Sequence, residues 1–190
     1  MKFFLFLVCI LSADAYSYST QALNEYEMNK VMDKISKAEA SKLGEASFEA
    51  IGNPGLLTIS GEKGDVTGKY QRTDGKLSGS FDLILNTLQT GMDLRDKHMR
   101  EKYLETKKFP KTTLTVENVL IPKEGYFKFA GKLLLHGKNN PVAGDCLLKD
   151  AIKFECKFKI LLSDYAIPIP EWKGVTIAKD VSLTIALILK

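Results

Sequence analysis

Histidine is nearly missing from this chain: only His98 and His136 occur, and neither stands in a spacing rich in cysteine or carboxylate ligands. No metal site is expected on that count. Gly-x-Ser-x-Gly and the glycine-rich phosphate loops are missing as well, so the sequence nominates no catalytic residue and no cofactor. Arg95, Asp96 and His98 lie close together, but neighbouring helix positions face different directions. Asp96 with Arg100 reads as an ordinary surface pair worth a few tenths of a kcal/mol. The expectation is therefore a protein that is not an enzyme. It would be upset by a site in which His98 or His136 meets a carboxylate and a hydroxyl. No apolar run approaches the roughly 20 residues needed to span a bilayer, so no stable membrane insertion is expected. A large charge excess is missing too: the formal net charge is +4, and the lysines are scattered through the strands rather than gathered into a stripe. Nucleic acid is not an expected partner. There is no internal repeat and no low-complexity linker, and nothing bears on oligomeric state.

Cysteine is also scarce, with three in the chain, and where they fall matters. Lys2, the apolar run Phe3 to Leu11 and then Ala13-Asp14-Ala15 read as a secretory signal peptide over 1–15, cleaved after Ala15, which implies a periplasmic or secreted protein. Cys9 lies inside that run after Val8, where a bacterial lipoprotein signal would want a small residue. Cleavage removes one lysine and one aspartate, leaving the charge at +4, and takes 190 residues down to 175. That is enough for one domain with a substantial core. Cys146 and Cys156 remain, in a compartment that permits disulfides.

Within that remainder, Leu23, Met28, Val31, Met32, Ile35 and Ala38 recur near helical spacing. This predicts an amphipathic helix over 20–43, in an extension covering 16–44. Beyond Gly44 the period changes to two. In Ile152-Lys-Phe154-Glu-Cys156-Lys-Phe158-Lys-Ile160 every second residue is apolar and every intervening one charged, so one face is dry and the other wet. Turn signals at Asn53-Pro-Gly, Gly64-Asp, Asp74-Gly, Lys123-Glu-Gly, Asn139-Asn-Pro and Lys149-Asp separate the runs. The result is eight or nine strands at 45–51, 56–61, 65–72, 76–86, 112–121, 125–136, 142–149, 152–162 and 180–189. Thr90 to Pro110 breaks the pattern with one short helix over 90–106. Asp93 is placed to cap it, Met92, Met99 and Tyr103 to give it apolar contacts, and Pro110 to stop it.

Such a meander closes naturally into an antiparallel, lipocalin-like barrel of about eight strands. Its interior is just wide enough for side chains or one slender ligand. Phe81, Leu83, Leu85, Phe127, Phe129, Leu133, Phe154, Phe158, Leu183 and Ile185 are the expected lining. An apolar chain held there would gain roughly 0.8 kcal/mol per buried CH₂. A barrel filled by its own side chains remains the alternative. On the last hairpin, a turn centred near Ala151 would set 148 opposite 154 and 146 opposite 156. That register places both cysteines on the dry face, as a disulfide or as two buried thiols.

Threonine-glycine at Thr90-Gly91, Arg95-Asp96, the nearby His98 and the aromatic-proline pair Phe109-Pro110 together resemble the signature of YceI-like domains. Gly68, Gly79 before Phe81, Leu135-His136-Gly137 with Pro141, Asp164-Tyr165 and Asp180-Val181 extend the resemblance over the region 45–190. It implies a tunnel-bearing barrel that holds a polyisoprenoid, an isoprenoid quinone or another long-chain amphiphile in the bacterial periplasm, as a binding or carrier protein. Arg95, with its forked donors, would be the natural head-group contact. A packed barrel acting as a stress-related or interaction module is the competing expectation. The helix at 20–43 departs from the family pattern.

Overall fold

The computed structural model describes residues 41–53, 57–172 and 175–189. The expected signal peptide, Cys9 and the expected helix up to residue 40 lie outside the described residues. At Leu43 that helix expectation gives way: the Leu43 N–H donates to Val66 O and its carbonyl accepts from Ile188 N–H, both at 2.7 Å. The chain is already sheet-bonded one residue before the first strand.

Alternating apolar residues produce nine strands within the unit Ala40–Lys190: β1 (Gly44–Asn53), β2 (Thr58–Thr73), β3 (Lys76–Ile84), β4 (Lys111–Leu120), β5 (Gly125–Leu135), β6 (Lys138–Asp150), β7 (Lys153–Leu161), β8 (Glu171–Trp172) and β9 (Val175–Ile188). Each of β1 to β7 pairs antiparallel with its neighbour in sequence, β7 pairs with β9, and β9 returns to β1. Eight strands thus close a barrel, and the two-residue β8 hangs on β9. Closure leaves no long edge to recruit another chain.

Several sequence-based boundaries move. The expected strands 56–61 and 65–72 are one sixteen-residue strand, β2. The turn signal at Gly64-Asp65 is absorbed as a bulge: Ala46 pairs with Gly64 and Phe48 with Gly61, so β2 holds one extra residue, and Lys63 takes a φ of 62°. Asn139-Asn140-Pro141 lies inside β6, where Pro141 faces Lys132. The turn is made instead by His136-Gly137, with φ of 50° and 74°, between the paired Leu135 and Lys138. Two successive positive φ values match the right-handed twist of the strands that the loop joins. A Cβ on Gly137 would stand 3.0 Å from the Phe109 ring, so glycine also admits that ring. β9 begins at Val175 rather than 180, because Thr176 and Ile177 find partners on β1 beyond a second irregularity, at Asn53 and Gly52.

Between β3 and β4 the chain leaves the sheet. A 3₁₀ turn (Leu85–Thr87) leads to helix α1 (Asp93–His98), which loosens into a π-helical turn (Met99–Tyr103). Asp93 does not cap it: Met92 occupies the N-cap without a side-chain bond, and Asp93 is the first helical residue. Met92 makes no core contact either, being 55% exposed. Met99 does turn inward. With Leu85 and Leu88 it forms a small apolar cluster that Phe48, Leu83 and Leu104 cover at its edge. Phe48, Leu83 and Leu104 also pack against the main barrel core, so the segment 85–110 caps one end of the barrel.

Candidate functional site

The barrel interior is a single apolar cluster fed by every one of its eight closing strands. Of the ten expected lining residues, Phe81, Phe129, Leu133, Phe154, Phe158 and Ile185 are buried in it. Leu83, Phe127 and Leu183 pack against it partly buried. Leu85 does not line the barrel: as the first residue of the 3₁₀ turn it points into the cluster beneath the cap. Its place in an alternating run disguised the strand's end at Ile84.

Two apolar voids of about 30 Å³ each lie in this interior. The one toward the cap is walled by Val66, Leu83, Thr112, Leu133, Phe158 and Leu183. The one toward the opposite end is walled by Leu77, Val119, Phe127, Phe129, Phe154 and Leu189. Phe81, Leu114 and Ile185 belong to both walls and so form the partition between them. Leu114 faces Phe81 across β3 and β4 in register. Its alternation with Val116 marks it in the sequence as a dry-face residue, and its partition role was missed because that role depends on a third strand. Either void is far too small for a long chain, and both linings are almost wholly apolar, with only Ser47, Thr112 and Thr184 adding hydroxyls to the first. Edge-to-face pairs narrow the space further, Phe127 with Phe154 at 6.3 Å and Phe129 with Phe158 at 5.6 Å between ring centroids. A long chain therefore enters only if the partition side chains rotate aside.

Cys146 and Cys156 face each other in the register counted from the turn, with Leu148 opposite Phe154. They are joined as a disulfide, Cα to Cα 4.0 Å, with ten residues of sequence separation. The bond lines the second void and ties β6 to β7 from inside.

At the cap the polar residues are occupied with one another. Asp96 is 8% exposed, not a surface residue. One of its carboxylate oxygens accepts from the Thr90 N–H at 2.7 Å and the Thr90 hydroxyl at 2.5 Å, while Arg100 stands 4.0 Å from the other. Arg95 donates to the Thr90 carbonyl at 2.6 Å, and Arg100 to the Leu88 carbonyl at 2.7 Å. Arg95 thus clamps the chain before the helix instead of reaching the barrel interior, while its Nε is buried without a partner, as is that of Arg100. The Thr-Gly, Arg-Asp signature is read here as one bonded unit: an acceptor and two donors pinning Leu88 to Thr90 against the helix. His98 is exposed on the outer side.

His136 is the polar residue that sequence reasoning underrated. Its left-handed turn position swings the ring away from the alternation of Leu133 and Leu135 and under the loop that follows the helix. Nδ1–H donates to the Tyr165 carbonyl at 3.0 Å, Nε2 meets the Glu105 carboxylate at 2.6 Å, and Phe109 tilts against the ring at 4.7 Å. Both ring nitrogens are engaged, one by a backbone carbonyl and the other by a carboxylate. This joins three separate segments: the cap loop, the β5–β6 turn and the 3₁₀ turn Leu162–Tyr165. Tyr165 itself is buried, which pushes its phenol above the ordinary value, with Asp164 adding to the effect.

Among the described residues no group of histidine, cysteine and carboxylate side chains is arranged to hold a metal, and no helix is long and apolar enough to cross a membrane.

Comparison with known proteins bears on fold and family. Curated protein sequences give no match. Among solved structures, the chain is similar to BcnA of Burkholderia cenocepacia, at 16% identity and a TM-score of 0.63, over 76% of this chain and 96% of that one. It is also similar to a polyisoprenoid binding domain from Saccharophagus degradans implicated in plant cell wall breakdown, at 16% identity and 0.57, over 76% and 91%. A third likeness is the YceI protein of Campylobacter jejuni, at 17% identity and 0.54, over 71% and 87%. At such identities these likenesses establish the barrel alone. The family model described as YceI-like domain matches residues 35–189, which is most of the chain, and with the closed barrel and its bonded cap in place, this protein belongs to the YceI-like domain family.

Proposed function

We propose that this protein binds and carries a long-chain amphiphile, a polyisoprenoid, isoprenoid quinone or fatty-acid derivative, within its barrel, and that it does no chemistry on it. The observation that carries the reading is the pair of apolar voids along one interior, separated only by Phe81, Leu114 and Ile185. Rotating those three side chains would join the voids into one channel. The polyisoprenoid binding domain with the same fold supports the choice of ligand class. The absence of chemistry is supported by His136, which meets a carboxylate and a backbone carbonyl instead of a hydroxyl. A periplasmic or secreted location is supported by Lys2, the run Phe3 to Leu11 and Ala13-Asp14-Ala15, and by the Cys146–Cys156 disulfide, a bond common in oxidising compartments and rare in reducing ones.

The small size of both voids favours a second reading, a packed barrel that acts through its surface. One experiment separates them: detergent-free purification, then mass spectrometry of an organic extract together with titration of an isoprenoid quinone. Co-purified lipid or saturable uptake is the expected result. Repeated isolation without lipid, together with no uptake, would leave only the packed barrel.

A further inference from the structure

The two ends of the barrel are closed differently. At one, the segment 85–110 is held down by side-chain bonds from Asp96, Arg95, Arg100 and the Glu105–His136 pair. At the other lie the turns that join β2 to β3, β4 to β5 and β6 to β7, with the start of β1 and the end of β9. Backbone bonds tie neighbours there: Ile121 N–H donates to the Gly75 carbonyl and Leu189 N–H to the Ile152 carbonyl. Arg72 crosses this mouth, its Nη1 donating to the Ala151 carbonyl at 3.0 Å. Ala151 follows β6, which stands four strands from β2 either way round the closed ring of eight, so the side chain reaches from one side of the barrel to the other.

Register explains why it can. Arg72 is paired with Leu77, and directly opposed residues of an antiparallel pair share a face. Leu77 is buried and lines the void toward this end, so Arg72 continues the inner face of β2 that Val66, Gly68 and Tyr70 begin, with its tip exposed at the rim. Charge alone does not mark the mouth, since each turn carries both signs: Asp74 with Lys76, Glu124 with Lys123, and Asp150 with Lys149 and Lys153. Position does. Among the described charged residues at this end, Arg72 is the one whose register partner lines the interior. Asp150 is already engaged by the Ile152 and Lys153 N–H groups and by Lys153 Nζ. Ala151 takes one of the guanidinium's forked donors, and no ion pair among the described residues takes the others.

We infer that the ligand enters tail first through this mouth and that Arg72 is its head-group contact, exchanging the Ala151 carbonyl for a carboxylate or phosphate. The inference rests on the carrier reading and narrows it to amphiphiles with an anionic head. A charged head cannot follow its chain into an apolar interior, so it stays at an end. A planar guanidinium at that end meets either oxyanion through two parallel N–H bonds. Lys138 holds the corresponding place at the cap end, paired with the buried Leu135, and so provides the control.

The test is equilibrium binding of cis-parinaric acid and of its uncharged methyl ester to the full chain, read from the fluorescence of the bound polyene. The acid should bind more tightly than the ester by roughly tenfold, and Arg72→Gln should remove that advantage while changing ester affinity less than about twofold. Retained ester binding also shows that the variant is folded. Arg72→Lys, which keeps the charge and loses the fork, should fall between, and Lys138→Gln should leave both ligands unchanged. Displacement by palmitate against hexadecanol, and by farnesyl monophosphate against farnesol, tells which oxyanion is accepted; preference for the charged member of either pair supports the inference. Acid and ester bound alike, equal losses of both in Arg72→Gln, or a greater loss of the acid in Lys138→Gln overturns it and leaves the carrier reading standing. No binding of either ligand by the unaltered protein rejects the carrier reading itself, and the inference with it.

Discussion

The barrel wall and the cap that closes one end of it are built on opposite principles. In the wall, backbone ladders carry the structure, apolar side chains point in, and several lysines on the wet face pair with carboxylates, among them Lys111 with Asp82, Lys128 with Asp145 and Lys159 with Asp180. Glu155 is held below the usual carboxylate range first by the bond from Lys149, and Asp180 by the bond from Lys159. Each such pair contributes little, since water screens it. In the cap, the backbone has almost no ladder. A single bridge, Glu62 to Gln89, joins it to the sheet, and its shape depends on Asp96, Arg95, Arg100 and the Glu105–His136 pair bonding to specific backbone groups and to each other. A wall of this kind tolerates the loss of any one surface group. A cap of this kind does not.

The largest effect should come from the wall's interior, where that tolerance ends. Phe81→Ala removes the aromatic member of the partition and should cost about 3–5 kcal/mol, read from urea unfolding. It should also merge the two voids, so a fluorescent fatty-acid analogue should bind the variant more tightly than the parent protein. A loss below about 1 kcal/mol would mean that the partition is loosely packed and the interior already open.

Next comes the bond inside the wall. Closing a loop with ten residues of separation, the Cys146–Cys156 disulfide should add about 2–3 kcal/mol. Reduction should lower the urea midpoint accordingly while leaving hydrogen exchange in the cap unchanged. Thiol titration of the unfolded, unreduced protein should find neither of these two cysteines free, and finding both free would remove the bond from the account.

The smallest effect contrasts the two regions directly. Asp96→Ala leaves the part-buried Thr90 N–H and hydroxyl without their acceptor and should cost about 1–3 kcal/mol, with faster amide exchange confined to residues 85–110. Asp145→Ala, which breaks an exposed wall pair with Lys128, should cost less than about 1 kcal/mol and accelerate nothing. Equal costs would erase the distinction between wall and cap.

How far these features could be read in advance follows the same division. Period-two alternation located every strand of the barrel, and counting outward from the turn at Ala151 set Cys146 against Cys156, because antiparallel register follows from turn position alone. Asp74-Gly75 was legible as a turn, with φ of 52° and 72° as such a hairpin demands. Gly64-Asp65 looked the same and was a bulge. The difference is that β1 offers partners on both sides of it, a fact held by another strand. The Asn139-Asn140-Pro141 signal misled for a related reason: Pro141 faces Lys132 within the β5–β6 pairing, and His136-Gly137 had already made the turn.

The sequence by itself determined the barrel, its strand order and the family, since each rests on short-range periodicity, turn chemistry and motif spacing that a single segment carries within it. Only the tertiary structure decided that Asp96 is buried, that Arg95 donates to the Thr90 carbonyl, that Leu85 belongs to the cap, and that Phe81, Leu114 and Ile185 divide the interior. Those outcomes depend on which side chains from distant strands arrive at the same point. Burial and partnership there are set by packing in three dimensions, for which a linear pattern has no coordinate.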